Sequence, residues 1–91
     1  HMGYRIELSE IEVAALALNG IKNACILYNS LLKQIIMIYE SNSSLTDMDI
    51  RLQLSKNLPK YMLPTKMKRV ELIPRNSNGK IDRQKLLSDF A

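Results

Sequence analysis

The chain has almost none of the residues from which metal sites, disulfide frameworks and aromatic binding platforms are built. Its 91 residues include no tryptophan, one phenylalanine, one cysteine and one histidine. The histidine opens the sequence, and we interpret residues 1–2 as a cloning remnant. A single cysteine without a native histidine leaves a zinc site, a disulfide framework and a Cys–His nucleophile unsupported. Cys25 lies in an apolar run and is predicted to be a small buried hydrophobic residue.

Long hydrophobic runs are also missing. No apolar stretch approaches the roughly 18 to 20 residues needed to span a membrane, and no secretory signal is visible. We therefore expect a cytoplasmic protein with no membrane partner, in a reducing compartment. With 46% apolar residues and ordinary charge content, the chain is expected to form one small globular domain.

Positive charge is concentrated in the second half of the chain. Residues 56–85 contain nine Lys or Arg against Glu71 and Asp82, a net charge of +7, whereas the whole chain carries +4. A basic face can attract nucleic acid, an anionic carrier protein or a phosphate-bearing substrate. It can equally be a solvated face with no partner. Charge alone therefore leaves these alternatives open.

The apolar pattern of the first 20 residues predicts a strand followed by a helix. Residues 4–7 alternate as a short strand does. Ser9 has Glu12 three residues on, which predicts a capping box at the helix start, with Leu8 and Val13 as a hydrophobic staple. One apolar stripe is expected on the helix, formed by Ile11, Ala14, Ala15 and Leu18. Asn19-Gly20 is predicted to close the helix.

Two strands and a second helix are expected in the middle of the chain. Residues 24–28 and 34–39 are apolar runs joined by polar residues, which favours adjacent strands. Residues 40–44 are predicted to be a polar loop. Thr46 with Asp49 repeats the capping logic, and Pro59 is expected to end the helix. Its buried stripe is predicted to be Ile50, Leu54 and Leu58.

The last third of the chain is predicted to contribute one strand and one helix. Residues 66–73 alternate around Val70 and Leu72 and indicate a third main strand. Asp82 is predicted to cap a final helix with Leu86 and Phe90 on its inner face. The order β-α-β-β-α-β-α predicts a small α+β domain in which helices pack on one sheet of about three main strands.

A turn near the C-terminus carries the most informative residue. In Asn78-Gly79-Lys80, the Asn-Gly pair readily adopts the left-handed backbone angles of a hairpin turn. Lys80 is therefore predicted to lie on an exposed, adjustable loop. Such a turn alone is typical of an ordinary solvated surface, and only its neighbours in the sequence give it further meaning.

Three ordered motifs resemble the C-terminal subdomain of adenylate-forming (AMP-binding) enzymes, in the amino-acid-activating branch. GYRIELSEIE at residues 3–12 is similar to the family pattern GxRIELGEIE, and NGKIDR at 78–83 to NGKxDR. LPKYMLP at 58–64 matches LPxYMxP. The branch comprises nonribosomal peptide synthetase adenylation domains and D-alanine–carrier protein ligases. Ser9 replaces the usual glycine, and residues 75–77 also depart from the family pattern.

The resemblance implies a two-step ligase reaction. A carboxylate, here of an amino acid, attacks the α-phosphate of ATP in the presence of Mg²⁺, and a phosphopantetheine thiol on a carrier protein then takes the acyl group. Lys80 would stabilise the first transition state. Asn78 and Gly79 would shape the nucleotide loop, while Arg83 would form either an ion pair or a phosphate contact. Gly3, Tyr4 and Arg5 would line the pantetheine tunnel.

The same resemblance implies that residues 3–91 are a mobile subdomain of a larger enzyme. The family's hinge lies just before Gly3, and its substrate pocket belongs to a large N-terminal subdomain. We therefore expect the 91 residues alone to be inactive. Two alternatives remain. One is an acyl-CoA synthetase or acyl-AMP ligase subdomain. The other is a basic module that binds nucleic acid or protein, which the scarcity of aromatic residues disfavours for nucleic acid.

Overall fold

A computed structural model describes residues 7–90, and the side chains of residues 7–89. The helices are α1 (Leu8–Leu16), α2 (Asp47–Leu54) and α3 (Arg83–Phe90), with a short 3-10 helix at Lys60–Met62. The strands are β1 (Ile21–Asn29), β2 (Gln34–Ser41) and β3 (Lys66–Arg69). The predicted α+β class and element order are confirmed. The predicted first strand lies, except for Glu7, outside the described residues, as does the side chain of Phe90.

The three strands form one mixed sheet in the order β1-β2-β3. β1 and β2 are antiparallel and pair up to Asn29 and Gln34, which confirms the two predicted central strands. β3 runs parallel to β2, from the Ile36–Lys66 pair to the Tyr39–Arg69 pair. A parallel neighbour requires a crossover, and here residues 42–65, with α2 and the 3-10 helix, supply it.

Hydrophobic residues are buried on both faces of this sheet. The first core lies on the face covered by α1 and α2, and its buried members are Ile11, Ala15, Ile21, Ala24, Ile26, Ile35, Met37, Tyr39, Ile50, Leu54, Leu58 and Met62. The second core lies on the face covered by α3, and its buried members are Cys25, Leu27, Ile36, Ile38, Ile73 and Leu86. Successive residues of a strand point to opposite faces, so β1 and β2 serve both cores. The prediction that Cys25 is buried is confirmed.

The start of α1 differs from the prediction. The helix begins at Leu8, with Glu7 in the N-cap position and no side-chain cap, so Ser9 lies inside the first turn. The capping box of Ser9 and Glu12 is therefore wrong. Glu12 instead forms an ion pair with Arg83, with 3.3 Å between the charged groups. Its carboxylate therefore makes a long-range contact rather than the predicted helix cap. The predicted apolar stripe is confirmed for Ile11, Ala14 and Ala15, while Leu18 packs against the same core from beyond the end of the helix.

The turn after α1 uses glycine as expected but in a different place. α1 ends at Leu16, and Gly20 has a left-handed φ of 94° immediately before β1. Gly20 therefore starts the strand rather than closing the helix. A Cβ atom there would lie 2.7 Å from the Ser43 Oγ, which excludes a larger residue without movement.

The capping box of α2 is confirmed in both directions. The Thr46 hydroxyl accepts the Asp49 N–H at 3.1 Å, and the Asp49 carboxylate accepts the Thr46 N–H at 3.0 Å. Tyr39 also holds this helix end, because its hydroxyl donates to Asp47 at 2.6 Å. Burial and this hydrogen bond raise the pKa of Tyr39 to about 12. The predicted stripe of Ile50, Leu54 and Leu58 is buried.

Two predicted boundaries after β1 are wrong. α2 ends at Leu54, and Pro59 begins the 3-10 helix rather than ending α2. Ser55 stops the helix earlier, since its hydroxyl donates to the Leu52 carbonyl at 2.6 Å. Glu40, predicted to start a polar loop, belongs to β2 and is only 3% exposed.

The third strand is shorter than predicted. β3 ends at Arg69, and the last backbone link to β2 is the Val70 N–H donating to the Tyr39 carbonyl at 2.9 Å. Leu72, predicted to lie in the strand, is 75% exposed, whereas Ile73 is buried in the second core. The chain leaves the sheet after Val70, and the Ile73 N–H donates to the Glu40 side chain rather than to a strand carbonyl.

No helix within residues 7–90 is long and apolar enough to cross a membrane.

Candidate active-site loop

Lys80 lies in a short hairpin whose base is the antiparallel bridge between Arg75 and Ile81. The Asn76 N–H donates to the Lys80 carbonyl at 2.7 Å, and the Gly79 N–H donates to the Asn76 carbonyl at 3.0 Å. Gly79 has a left-handed φ of 80°. This is a three-residue hairpin loop in which a type I turn is followed by a left-handed residue. The predicted tight turn is confirmed.

Only one residue of the predicted Asn-Gly pair is left-handed. Within residues 7–90, positive φ values occur at Gly20, Lys33 and Gly79, so Asn78 has ordinary backbone angles. The expectation that both residues adopt left-handed angles is wrong, because three loop residues need one such position rather than two. An added Cβ at Gly79 would meet nothing within 4 Å, so within this chain its glycine serves the backbone angle and not a close contact.

The side chain that organises the turn is Asn76, which sequence reasoning missed. Its Oδ1 accepts the Asn78 N–H at 2.9 Å and the Lys80 N–H at 3.2 Å. Arg75 adds a contact from its Nη1 to the Gly79 carbonyl at 3.1 Å. The sequence does contain a signal for this role, since asparagine at the first position of a turn often bonds the backbone two residues on. The NGK motif instead indicated Asn78 as the residue that shapes the turn.

The Lys80 side chain is exposed, while its backbone is held at both the N–H and the carbonyl. Among residues 7–90 its ammonium group has no hydrogen bond or ion pair. Such a group is a compact positive charge with three rotatable donors on a flexible stem. A fixed backbone with an unengaged ammonium group can deliver charge to an anion that approaches from outside the chain.

Asp82 joins this hairpin to α3. Its Oδ1 accepts the Lys85 N–H at 3.1 Å, which confirms the predicted helix cap. Its own N–H donates to the Pro74 carbonyl at 3.0 Å. The two strands of the hairpin are therefore tied together below the Arg75–Ile81 bridge, and the helix starts from that tie.

Arg83 faces the body of the domain rather than the hairpin. Its Nη1 donates to the Cys25 Sγ at 3.1 Å and to the Ile26 carbonyl at 3.2 Å, and its Nη2 to Glu12 at 3.3 Å. Of its two predicted roles, these contacts match the ion pair. Burial raises the pKa of the Cys25 thiol, an effect that the positive charge of Arg83 opposes. Arg83 thus fastens α3 to α1 and β1.

A shallow depression of about 330 Å³ lies beside Arg83, lined by residues of α1, β1 and α3 that include Leu8, Glu12, Ile26 and Leu87. The hairpin residues 76–80 do not line it. Within residues 7–90 no three His, Cys, Asp or Glu side chains lie close enough together to hold a metal ion. Gly3, Tyr4 and Arg5, predicted to line a tunnel, lie outside the described residues.

This chain is similar to short parts of much longer proteins. It is 41% identical over 86 residues to surfactin synthase subunit 2 of Bacillus subtilis strain 168, a match that covers 92% of this chain. It is 38% identical over 87 residues to gramicidin S synthase 2 of Brevibacillus brevis, with the same coverage. The chain spans about 2% of the length of each of these relatives. No protein-family model matches it.

A solved structure shares both the fold and a quarter of the sequence. Klebsiella oxytoca NpsA, in complex with 3-hydroxyanthranilyl-AMSN, superposes with a TM-score of 0.89 at 25% identity. The superposition covers 98% of this chain and 18% of that one.

Proposed function

We propose that this chain, a C-terminal subdomain of the adenylate-forming enzymes, supplies Lys80 to the active site of a larger ATP-dependent ligase that activates an amino acid. The observation that carries the proposal is the Lys80 hairpin. Its backbone is fixed by Asn76, and its ammonium group has no partner among residues 7–90. The similarity to peptide synthases over 92% of the chain supports the amino-acid branch.

Formation of the acyl adenylate requires a positive charge near the reacting groups, and in this proposal a residue outside the substrate pocket supplies it. When a carboxylate attacks the α-phosphate of ATP, two anions approach each other and negative charge develops on the phosphoryl oxygens. An ammonium group placed between them relieves the repulsion and orients both reactants. Lys80 needs no proton transfer for this role, so the ordinary charge of a lysine is sufficient.

The remaining parts of the reaction belong to the rest of the enzyme. ATP and Mg²⁺ would be held mainly by a large N-terminal subdomain, as the family resemblance implies. A phosphopantetheine thiol on a carrier protein would then take the acyl group. In that second step Gly3, Tyr4 and Arg5 would line the path of the thiol, and Asn78 and Gly79 would have moved away with Lys80.

ATP–pyrophosphate exchange by the intact parent enzyme tests the proposal. We expect one amino acid to drive exchange and Lys80→Ala to reduce the rate by about 10²- to 10³-fold, the usual cost of losing one transition-state donor. Lys85→Ala is the matched control, because it removes an exposed lysine from the first turns of α3 and leaves the hairpin intact.

Three other outcomes contradict parts of the proposal. Unchanged exchange in Lys80→Ala would make Lys80 an ordinary surface lysine. Exchange driven by fatty acids rather than amino acids would assign the chain to an acyl-activating ligase. If no acid drives exchange and the chain binds nucleic acid with a steep salt dependence, the basic stretch at residues 56–85 is the functional feature instead.

A further inference from the structure

Glu40 is a buried carboxylate where the strand pattern calls for a hydrophobic residue. Ile36 and Ile38 point from β2 into the second core, and Glu40 follows them on the same face. It is 3% exposed. A charge in such a place is strongly destabilising unless hydrogen bonds replace its lost water. The contacts that Glu40 makes must therefore explain why a carboxylate is there.

Both carboxylate oxygens of Glu40 are engaged. Oε2 accepts the backbone N–H of Ile73 at 2.7 Å, and Oε1 accepts the side-chain amide of its cross-strand neighbour Asn23 at 3.1 Å. Burial alone would raise the pKa of Glu40. These two hydrogen bonds, with the charges of Lys22 and Arg75, instead lower it. The group that holds Ile73 is thus an ionised carboxylate.

Ile73 is the last anchor of the chain before the Lys80 hairpin. Backbone pairing with β2 stops at the bond between Val70 and Tyr39, and Leu72 is exposed. The next residue after Ile73 is Pro74, whose carbonyl accepts the N–H of Asp82, and the hairpin follows. A buried N–H needs an acceptor, and for Ile73 the Glu40 side chain is that acceptor.

We propose that Glu40 is a positioning residue for Lys80, because its carboxylate fixes the base of the hairpin through the Ile73 N–H. Without that bond, the Ile73 side chain would still lie in the second core and the Pro74 carbonyl would still accept the Asp82 N–H. The hairpin would keep its own turn but lose the hydrogen bond that ties its base directly to β2. The importance of this position for catalysis rests on the function proposed above for Lys80. The hydrogen bond between Glu40 and Ile73 does not depend on that function.

Amide hydrogen exchange of the 91-residue chain tests the contact directly. Glu40→Gln keeps the shape of the side chain but removes its charge, so the Ile73 N–H can bond only to a neutral amide oxygen. We expect the exchange of the Ile73 and Asp82 amides to become roughly 10- to 100-fold faster, the scale set by losing a charge-assisted hydrogen bond. Amides in the middle of β1 and β2 should keep their wild-type rates.

Asp49→Asn is the matched control for this variant. It makes the same change in a carboxylate that also accepts a backbone N–H, but at the cap of α2. Exchange at Ile73 and Asp82 should not respond to it. If Glu40→Gln leaves these two amides unchanged, or accelerates exchange equally throughout the sheet, Glu40 does not position the hairpin and the proposal is wrong.

A reversed pair keeps the test valid even if Glu40→Gln fails to fold. Combining Glu40→Gln with Asn23→Asp returns the negative charge on the opposite strand. The introduced amide group can then donate to the introduced carboxylate, while the amide oxygen accepts the Ile73 N–H. We expect exchange at Ile73 and Asp82 in this double variant to be slower than in Glu40→Gln but not as slow as in the wild type, because the Ile73 N–H bonds to an amide oxygen that the neighbouring carboxylate polarises. Exchange as fast as in Glu40→Gln in a folded double variant would overturn the proposal.

In the intact parent enzyme, a positioning role predicts a specific kinetic pattern. Glu40→Gln should lower kcat for ATP–pyrophosphate exchange with little change in the KM for ATP, and Asn23→Asp should rescue it. In a Lys80→Ala background, Glu40→Gln should cause no further loss. A further loss there would mean that Glu40 acts independently of Lys80. If Lys80→Ala itself has no effect, the proposed function fails, while the exchange experiment still decides the contact.

Discussion

The two faces of the sheet are stabilised in different ways. Among the described residues, the first core has twelve buried hydrophobic residues, drawn from α1, α2, the strands and residues 58–62, whereas the second core has six. On the second face, hydrogen bonds made by three polar residues hold the elements together. Arg83 ties α3 to β1 and α1, Asp82 ties α3 to Pro74, and Glu40 ties Ile73 to the sheet. The face that carries Lys80 is the one whose described core is smaller.

This difference between the two faces shows that the stability of the fold and the position of the Lys80 hairpin depend on different interactions. Burial of apolar area is strong but not directional, while a hydrogen bond fixes one atom relative to another. A larger second core would hold α3 firmly without specifying where the Lys80 hairpin lies. The polar contacts specify that position, and each can be removed singly.

The largest expected effect compares one core residue from each face. Ile50→Ala should lower the free energy of unfolding by about 2 to 5 kcal/mol, because it opens a cavity in the first core. Leu86→Ala should cost less, about 2 kcal/mol, because fewer buried neighbours surround it. Urea denaturation of the two variants measures both values.

Hydrogen exchange sharpens this comparison. Leu86→Ala should accelerate exchange mainly in α3, and Ile50→Ala throughout the sheet, because the first core supports the whole fold. Equal losses of stability with identical exchange patterns would show that the two faces form one cooperative core.

A smaller effect should appear on acidification. The pKa of Glu40 is below its ordinary value of 4.5 in the folded chain, so its ionised form contributes stability above that pH. This contribution should be lost as the pH falls below 4.5 through the folded pKa. Protonation removes the charge that strengthens the bond from the Ile73 N–H, so the Ile73 and Asp82 amides should lose protection, relative to their intrinsic rates, before those of β1. Glu40→Gln should abolish this difference, and simultaneous loss in all strands would contradict it.

The smallest effect should come from Arg83. Its side chain is 49% exposed, so its pair with Glu12 is screened by water and the main loss is the bond to the Ile26 carbonyl. We expect Arg83→Met to cost about 1 kcal/mol. Lys85→Met on the same helix is the control and should be nearly neutral. If Arg83→Met lowers the free energy of unfolding by more than Leu86→Ala does, the hydrogen bonds of Arg83, and not the second core, hold α3 in place.

Local patterns predicted the elements well. Thr46 and Asp49 cap α2, and Asp82 caps α3, because both caps depend only on residues within one helical turn. The central strands followed from their apolar runs. The exposed turn at Lys80 was predictable for the same reason, since three adjacent residues determine that turn.

Contacts between distant residues explain the failures. Ser9 and Glu12 have the spacing of a capping box, but Glu12 pairs with a residue 71 positions away. The sequence predicts a polar loop at Glu40 because charged residues are almost never fully buried unless paired, and its partners Asn23 and Ile73 are invisible in a local window. The predicted length of β3 was also wrong, since the strand ends at Arg69 and the Ile73 N–H bonds to the Glu40 side chain, a contact that a local pattern does not contain.

The crossover between β2 and β3 also determines the order in which the strand pairs can form during folding. The β1–β2 connection closes over residues 30–33, whereas β3 can join the sheet only after residues 42–65 have been brought round. Closing the longer loop costs more chain entropy, and it must be closed before any parallel pair forms. The Lys80 hairpin lies beyond that crossover, whereas Glu40, which holds its base, lies before it, so the two can meet only after the crossover has closed. The hairpin should therefore be among the last parts of the chain to reach its place during folding and among the first to leave it.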